Sequence, residues 1–113
     1  DLQNYDYEAI FGVRFGMNKA QRILSHDSGS THAMTLKAVD LDADGKPLKW
    51  EVENSWGASS GHQGHIIMTD EWFDEYMFRL VVNKKYATEK ILKAAQQKPT
   101  LLPCWDPMFA SEE

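Results

Sequence analysis

Cysteine is nearly absent: Cys104 is the one thiol in 113 residues. No disulfide can close within the chain, and a reducing compartment is the simpler expectation. Long apolar runs are absent too. The strongly hydrophobic stretches last a few residues, far short of the roughly 20 that a membrane-spanning helix needs. Clustered positive charge is also missing. Lys and Arg number 12 against 17 Asp and Glu, a net charge of −5, and the one basic run, Lys84-Lys85, is too short to grip a phosphate backbone. Neither nucleic acid nor an anionic membrane surface is therefore expected as the main partner. The opening Asp1-Leu2-Gln3-Asn4-Tyr5 has no initiator Met and none of the charged-then-apolar pattern of a secretory leader. A cytoplasmic location is the expectation. Internal repeats and low-complexity stretches are lacking.

What is present is ordinary for a globular chain: 42% apolar and 26% charged residues, enough for one domain or part of one. Asp6 to Val13 suits a short helix. Asn18 followed by Gln21 matches a capping box and opens a second helix to about Leu24. Ser25 to Ser30 is loop chemistry. Thr31 to Leu41 reads as a strand, Asp42-Ala43-Asp44-Gly45 as its turn, and Leu48 to Asn54 as the returning strand. Trp56 to Gly64 is a Gly- and Ser-rich loop, and His65 to Met68 a short strand. Thr69 starts a helix running to Tyr76. Met77 to Asn83 is β-rich, Ala87 to Gln97 is helical with Thr88 as N-cap, and Pro99, Pro103 and Pro107 keep the last stretch extended. The pattern predicts an α+β fold of antiparallel strands and short helices.

A turn centred near Ala43 places His32 directly opposite Asn54, close enough to share a hydrogen bond. Alternation along the strands then puts His32, Met34, Leu36 and Ala38 on one apolar face with Leu48, Trp50, Val52 and Asn54, while Thr35, Lys37, Lys49, Glu51 and Glu53 occupy the other. The same register sets Lys37 against Lys49, a poor pairing that a bulge or one-residue slip would relieve. Read from spacing alone, the His–Asn pair is either a satisfied buried contact or half of a catalytic arrangement.

The residues that follow narrow the choice. Asn54-Ser55-Trp56-Gly57, then Gly61 and Gly64-His65-Ile66, resemble the Asn-Ser-Trp-Gly … Gly-Tyr-Ile segment of papain-like cysteine peptidases, with His32-Ala33 matching the His-Ala pair of the neighbouring strand. Thr31-His32-Ala33-Met34, Met68-Thr69-Asp70-Glu71-Trp72-Phe73, Leu102-Pro103-Cys104-Trp105-Asp106-Pro107-Met108, Asp6-Tyr7-Glu8 and Gly16-Met17-Asn18-Lys19 are similar to the bleomycin hydrolase and bacterial aminopeptidase C branch. The resemblance implies that residues 1–113 form a single C-terminal segment, the antiparallel, β-barrel-like half of a papain-like fold that is incomplete without its N-terminal half. It implies an intracellular thiol aminopeptidase using a Cys-His-Asn triad. His32 would be general base and acid, Asn54 would orient its imidazole, and Trp56 would shield their hydrogen bond. The nucleophilic Cys and an oxyanion-hole Gln would lie upstream, leaving the segment inactive alone. The partners implied are peptide substrates, the N-terminal part of the same enzyme and a homo-oligomer, a hexamer in that branch, and no cofactor is needed. The branch closes with a short tail of small residues whose terminal carboxylate restricts it to substrate N-termini. Phe109-Ala110-Ser111-Glu112-Glu113 departs from that tail, which leaves aminopeptidase and endopeptidase behaviour both open. Ser28-Gly29-Ser30 is a second departure, beside the expected cleft wall.

Three other readings compete with this one. Cys104 as nucleophile lacks a helix N-terminus to lower its pKa, and filler is the simpler role. His62 and His65, with His26 and Cys104 recruited, offer a metal set, but no carboxylate or Cys is locally spaced to complete it, so no metal site is expected. His65 instead stands where the resembled family has an aromatic. Asp70-Glu71 and Asp74-Glu75 suit a solvated helix face with acids near its start. A non-catalytic assembly role is the remaining alternative.

Overall fold

A computed structural model describes residues 4–107. Phe109-Ala110-Ser111-Glu112-Glu113, Met108 and the opening Asp1-Leu2-Gln3 lie outside the described residues. The elements run α1 (Tyr7–Phe11), α2 (Lys19–Leu24), β1 (Thr35–Leu41), β2 (Pro47–Glu53), β3 (His65–Thr69), α3 (Asp70–Tyr76), a 3-10 turn (Lys84–Tyr86) and α4 (Glu89–Ala95). The three strands form one antiparallel sheet in the order β1-β2-β3. The α+β expectation holds.

Local chemistry explains most boundaries. Asp6 accepts the Ala9 N–H and stops α1 from fraying, while Gly12 at φ 65° ends it short of Val13. The capping box at α2 is complete: Asn18 accepts from the Gln21 amide and Gln21 from the Asn18 amide. Thr69 caps α3. Thr88 precedes α4 as expected but makes no side-chain capping bond, and α4 is shorter than the expected 87–97. Lys19 Nζ donates to the carbonyls of Asp74 and Met77, and Arg22 reaches the Glu75 carbonyl and carboxylate. Two cations thus sit at the negative end of α3 and fasten α2 to it.

The hairpin departs from the expected register. Its closing pair is Asp42 and Lys46, with the Asp42 amide donating to the Lys46 carbonyl. Asp42 Oδ1 accepts from the Asp44 and Lys46 amides, and Gly45 takes φ 79°. The loop is therefore three residues with glycine in the left-handed position, and it centres on Asp44 rather than Ala43. Thr35 faces Glu53 and Leu36 faces Val52. After a shift at Lys37, Ala38 faces Glu51, Val39 faces Trp50 and Asp40 faces Lys49, and a second shift follows at Leu41/Pro47. Lys37 and Leu48 are the extra residues. The clash of Lys37 with Lys49 never arises: Lys49 opposes Asp40, and Lys37 pairs with Glu53 at 3.2 Å.

The physical cause is the apolar pattern. Leu36 and Val39 are three residues apart, so a regular strand cannot place both on one face; one added residue can. Ala38 consequently joins the polar face beside Glu51. The apolar face holds Leu36, Val39, Trp50, Val52, Ile66 and Met68. α3 closes on it through Phe73, which stacks on Trp50 at 4.5 Å, and Asp70 accepts the Trp50 indole N–H at 2.7 Å.

Two further expectations fail. Residues 31–34 are not strand: β1 begins at Thr35. Residues 77–83 carry no regular secondary structure and pair into no sheet among the described residues, with Val81 fully exposed. β propensity reflects packing on a pleated neighbour, and without that neighbour it yields no strand.

Candidate active site

Asn54 follows the last residue of β2, and its backbone N–H donates to the Gly64 carbonyl at 2.9 Å. This bond closes the loop that starts at Ser55. The loop is held from within: the Ser60 amide bonds to Gly57, the Gly64 amide to Ser60, and His62 and His65 exchange two backbone bonds at 3.0 Å each. Gln63 and Gly64 between them have φ 53° and 89°, the signs of the two-residue turn that suits strand twist. Gly61 is obligatory. A Cβ there would stand 2.4 Å from the His65 carbonyl oxygen, at a φ of +59°.

His32 Nε2 lies 2.7 Å from Asn54 Oδ1, so the two residues named from the sequence do meet. They meet by another route than direct cross-strand pairing. His32 precedes β1 by three positions and Asn54 lies just past β2, where the register would set Met34 across from it. Asn54 is 8% exposed, a buried polar group. Its Oδ1 also accepts the Ser55 amide at 2.8 Å. An amide oxygen only accepts, so His32 Nε2 carries the hydrogen. Nδ1 is then the nitrogen able to exchange a proton with a reacting group.

Trp56 stands against the imidazole, with ring centroids 5.6 Å apart and planes tilted by 40°. It covers one side of the pair, yet is itself 65% exposed. An open groove of about 350 Å³ runs beside the site, lined by Ala33, Met34, Thr35, Glu53, Asn54 and Ser55. The Ser55 amide and the Gly64 carbonyl are the two supports that sequence reasoning missed, because a backbone group leaves no mark on residue type.

Cys104 is exposed and stands in a turn after α4, closed by the Asp106 amide on the Pro103 carbonyl, so the expected extended run is broken there. His65 Nδ1 lies 2.7 Å from Glu51 Oε1. No three His, Cys, Asp or Glu converge on a common metal position among the described residues. No helix among them is long and apolar enough to cross a membrane.

Comparison with known proteins defines the class. The model of the Peptidase C1-like family matches residues 1–109, and the chain belongs to that family. It is 49% identical over 116 residues to human bleomycin hydrolase, covering 100% of this chain and 26% of that protein. It is 46% identical over 109 residues to aminopeptidase C of Lactococcus lactis subsp. lactis, covering 96% and 25%. The crystal structure of PepW from Lactobacillus rhamnosis HN001 superposes with a TM-score of 0.79 at 44% identity, over 94% of this chain and 24% of that one. The chain thus spans about a quarter of the length of these relatives and corresponds to their C-terminal part.

Proposed function

We propose that this chain supplies the proton-transfer half of a cysteine aminopeptidase active site. The observation that carries the reading is the bond from His32 Nε2–H to the buried Asn54 oxygen, inside the Asn-Ser-Trp-Gly context. In the complete enzyme, Nδ1 of His32 takes the proton of an upstream cysteine. The resulting thiolate attacks the peptide carbonyl and forms a thioester. His32 then protonates the departing amine, and water later releases the acyl group. Asn54 holds the ring in the tautomer this cycle needs, and Trp56 keeps water from competing for the Asn54 oxygen. Aminopeptidase C among the relatives supports the aminopeptidase reading, and the proposed site of action is the cytoplasm. The partners proposed are peptide substrates, the N-terminal part of the enzyme and further copies in a ring-shaped hexamer.

Hydrolysis of a fluorogenic aminoacyl substrate by the full-length gene product tests this reading. Wild type is expected to turn over and His32→Ala to be inactive, while Cys104→Ser leaves the rate unchanged. The 113 residues alone are expected to show no hydrolysis. Full activity in His32→Ala, or its loss in Cys104→Ser, would overturn the assignment.

One observation favours a second reading for the chain by itself. Many large apolar side chains are exposed, among them Ile10, Phe11, Phe15, Val81, Leu101 and Trp105. An apolar surface of this extent favours self-association, a role in assembly without catalysis.

A further inference from the structure

We propose that His65 is a positioning residue for the His32–Asn54 pair, acting through a close polar contact with Glu51. The proposal rests on the peptidase reading above and adds a residue to it. Asn54 can hold the imidazole only if its own backbone is fixed. Beyond Glu53 that backbone is fixed by the Gly64 carbonyl, 2.9 Å from the Asn54 amide. Gly64 belongs to a stretch with three glycines at positive φ: Gly57, Gly61 and Gly64. Such a stretch is cheap to deform, because glycine restricts the backbone least.

His65 is where this compliant loop rejoins the sheet. Its backbone exchanges two bonds with His62, its Cα pairs with Glu53 in the ladder, and its imidazole Nδ1 meets Glu51 Oε1 at 2.7 Å. One side chain therefore ties the loop's return leg to the central strand, next to the carbonyl that carries Asn54.

The charged groups around it favour Glu51 as the partner that matters. Glu53, directly across the ladder, is engaged by Lys37 of β1 at 3.2 Å. His62 faces His65 within the turn. Glu51 is left as the carboxylate that meets the ring. At 2.7 Å the contact is a close polar approach without hydrogen-bond geometry, and it holds the ring against the central strand by proximity to the carboxylate.

The test measures kcat and KM for the full-length enzyme, its His65→Phe variant and its Glu51→Gln variant. For a half-exposed polar contact, kcat of His65→Phe is expected to fall about fivefold. KM should stay within about twofold. Glu51→Gln keeps the shape and removes the carboxylate, so it should show the same loss of kcat. It carries the test alone if His65→Phe does not fold. A change confined to KM, or wild-type kcat in both variants, would overturn the positioning role. Activity that survives His32→Ala overturns the peptidase reading instead, so the two failures are separable.

Discussion

At the scale of single residues, the site depends on which groups can only accept and which can exchange a proton. Asn54 is buried and its oxygen takes two hydrogens, from His32 and from Ser55. Replacing it with Ala removes the acceptor for Nε2–H and frees the ring to turn. In the full-length enzyme, Asn54→Ala is expected to keep KM within about threefold while kcat drops on the order of a hundredfold. Unchanged turnover in steady-state kinetics would contradict the orienting role. These two residues were legible because their identities sit in contiguous, unusual contexts, His32-Ala33 and Asn54-Ser55-Trp56-Gly57. Their supports were not: the Ser55 amide and Gly64 carbonyl are backbone groups, and the Glu51–His65 contact joins residues that neither periodicity nor motif links.

At the scale of elements, two extra residues decide where the side chains go. Lys37 and Leu48 shift the hairpin in compensating directions, so the strands enter and leave in register with the turn but not between. Deleting Lys37 would restore simple alternation and turn residues 32–36 to the opposite face. The expected result is loss of the His32–Asn54 contact and at least a hundredfold lower kcat in the full-length enzyme. Lys37→Ala keeps the residue count and removes only the exposed ion pair with Glu53, costing under about 1 kcal/mol by thermal denaturation and little activity. The bulge was half legible. Spacing between Leu36 and Val39, and the Lys37–Lys49 conflict, both argued against a regular ladder. The shift could not be located without knowing that Asp42 closes a three-residue loop. The β-rich run 77–83 forms no strand because propensity says nothing about whether a neighbouring strand exists.

At the scale of the whole molecule, the chain is open. Its accessible surface is 10104 Å², against about 6300 Å² for a compact monomer of this mass. Its radius of gyration is 17.2 Å, against about 13 Å for a compact chain of this length. Val52 is the one buried large apolar residue among those described, at 2% exposure. Excess surface of this size is what remains when a quarter of a larger fold stands without the rest. The isolated 113 residues are therefore expected to bind an apolar dye such as ANS and to unfold over a broad range, whereas the full-length enzyme should bind little dye and melt sharply. Dye exclusion and a sharp transition in the short chain would show that it closes on itself. Within this open frame the His–Asn contact spans only 22 positions. Hairpins of such short reach zip in microseconds, with little closure entropy to overcome. His32 and Asn54 therefore belong to a fast local folding unit, and under the proposed function the slow event is the docking of a thiol-bearing half against it.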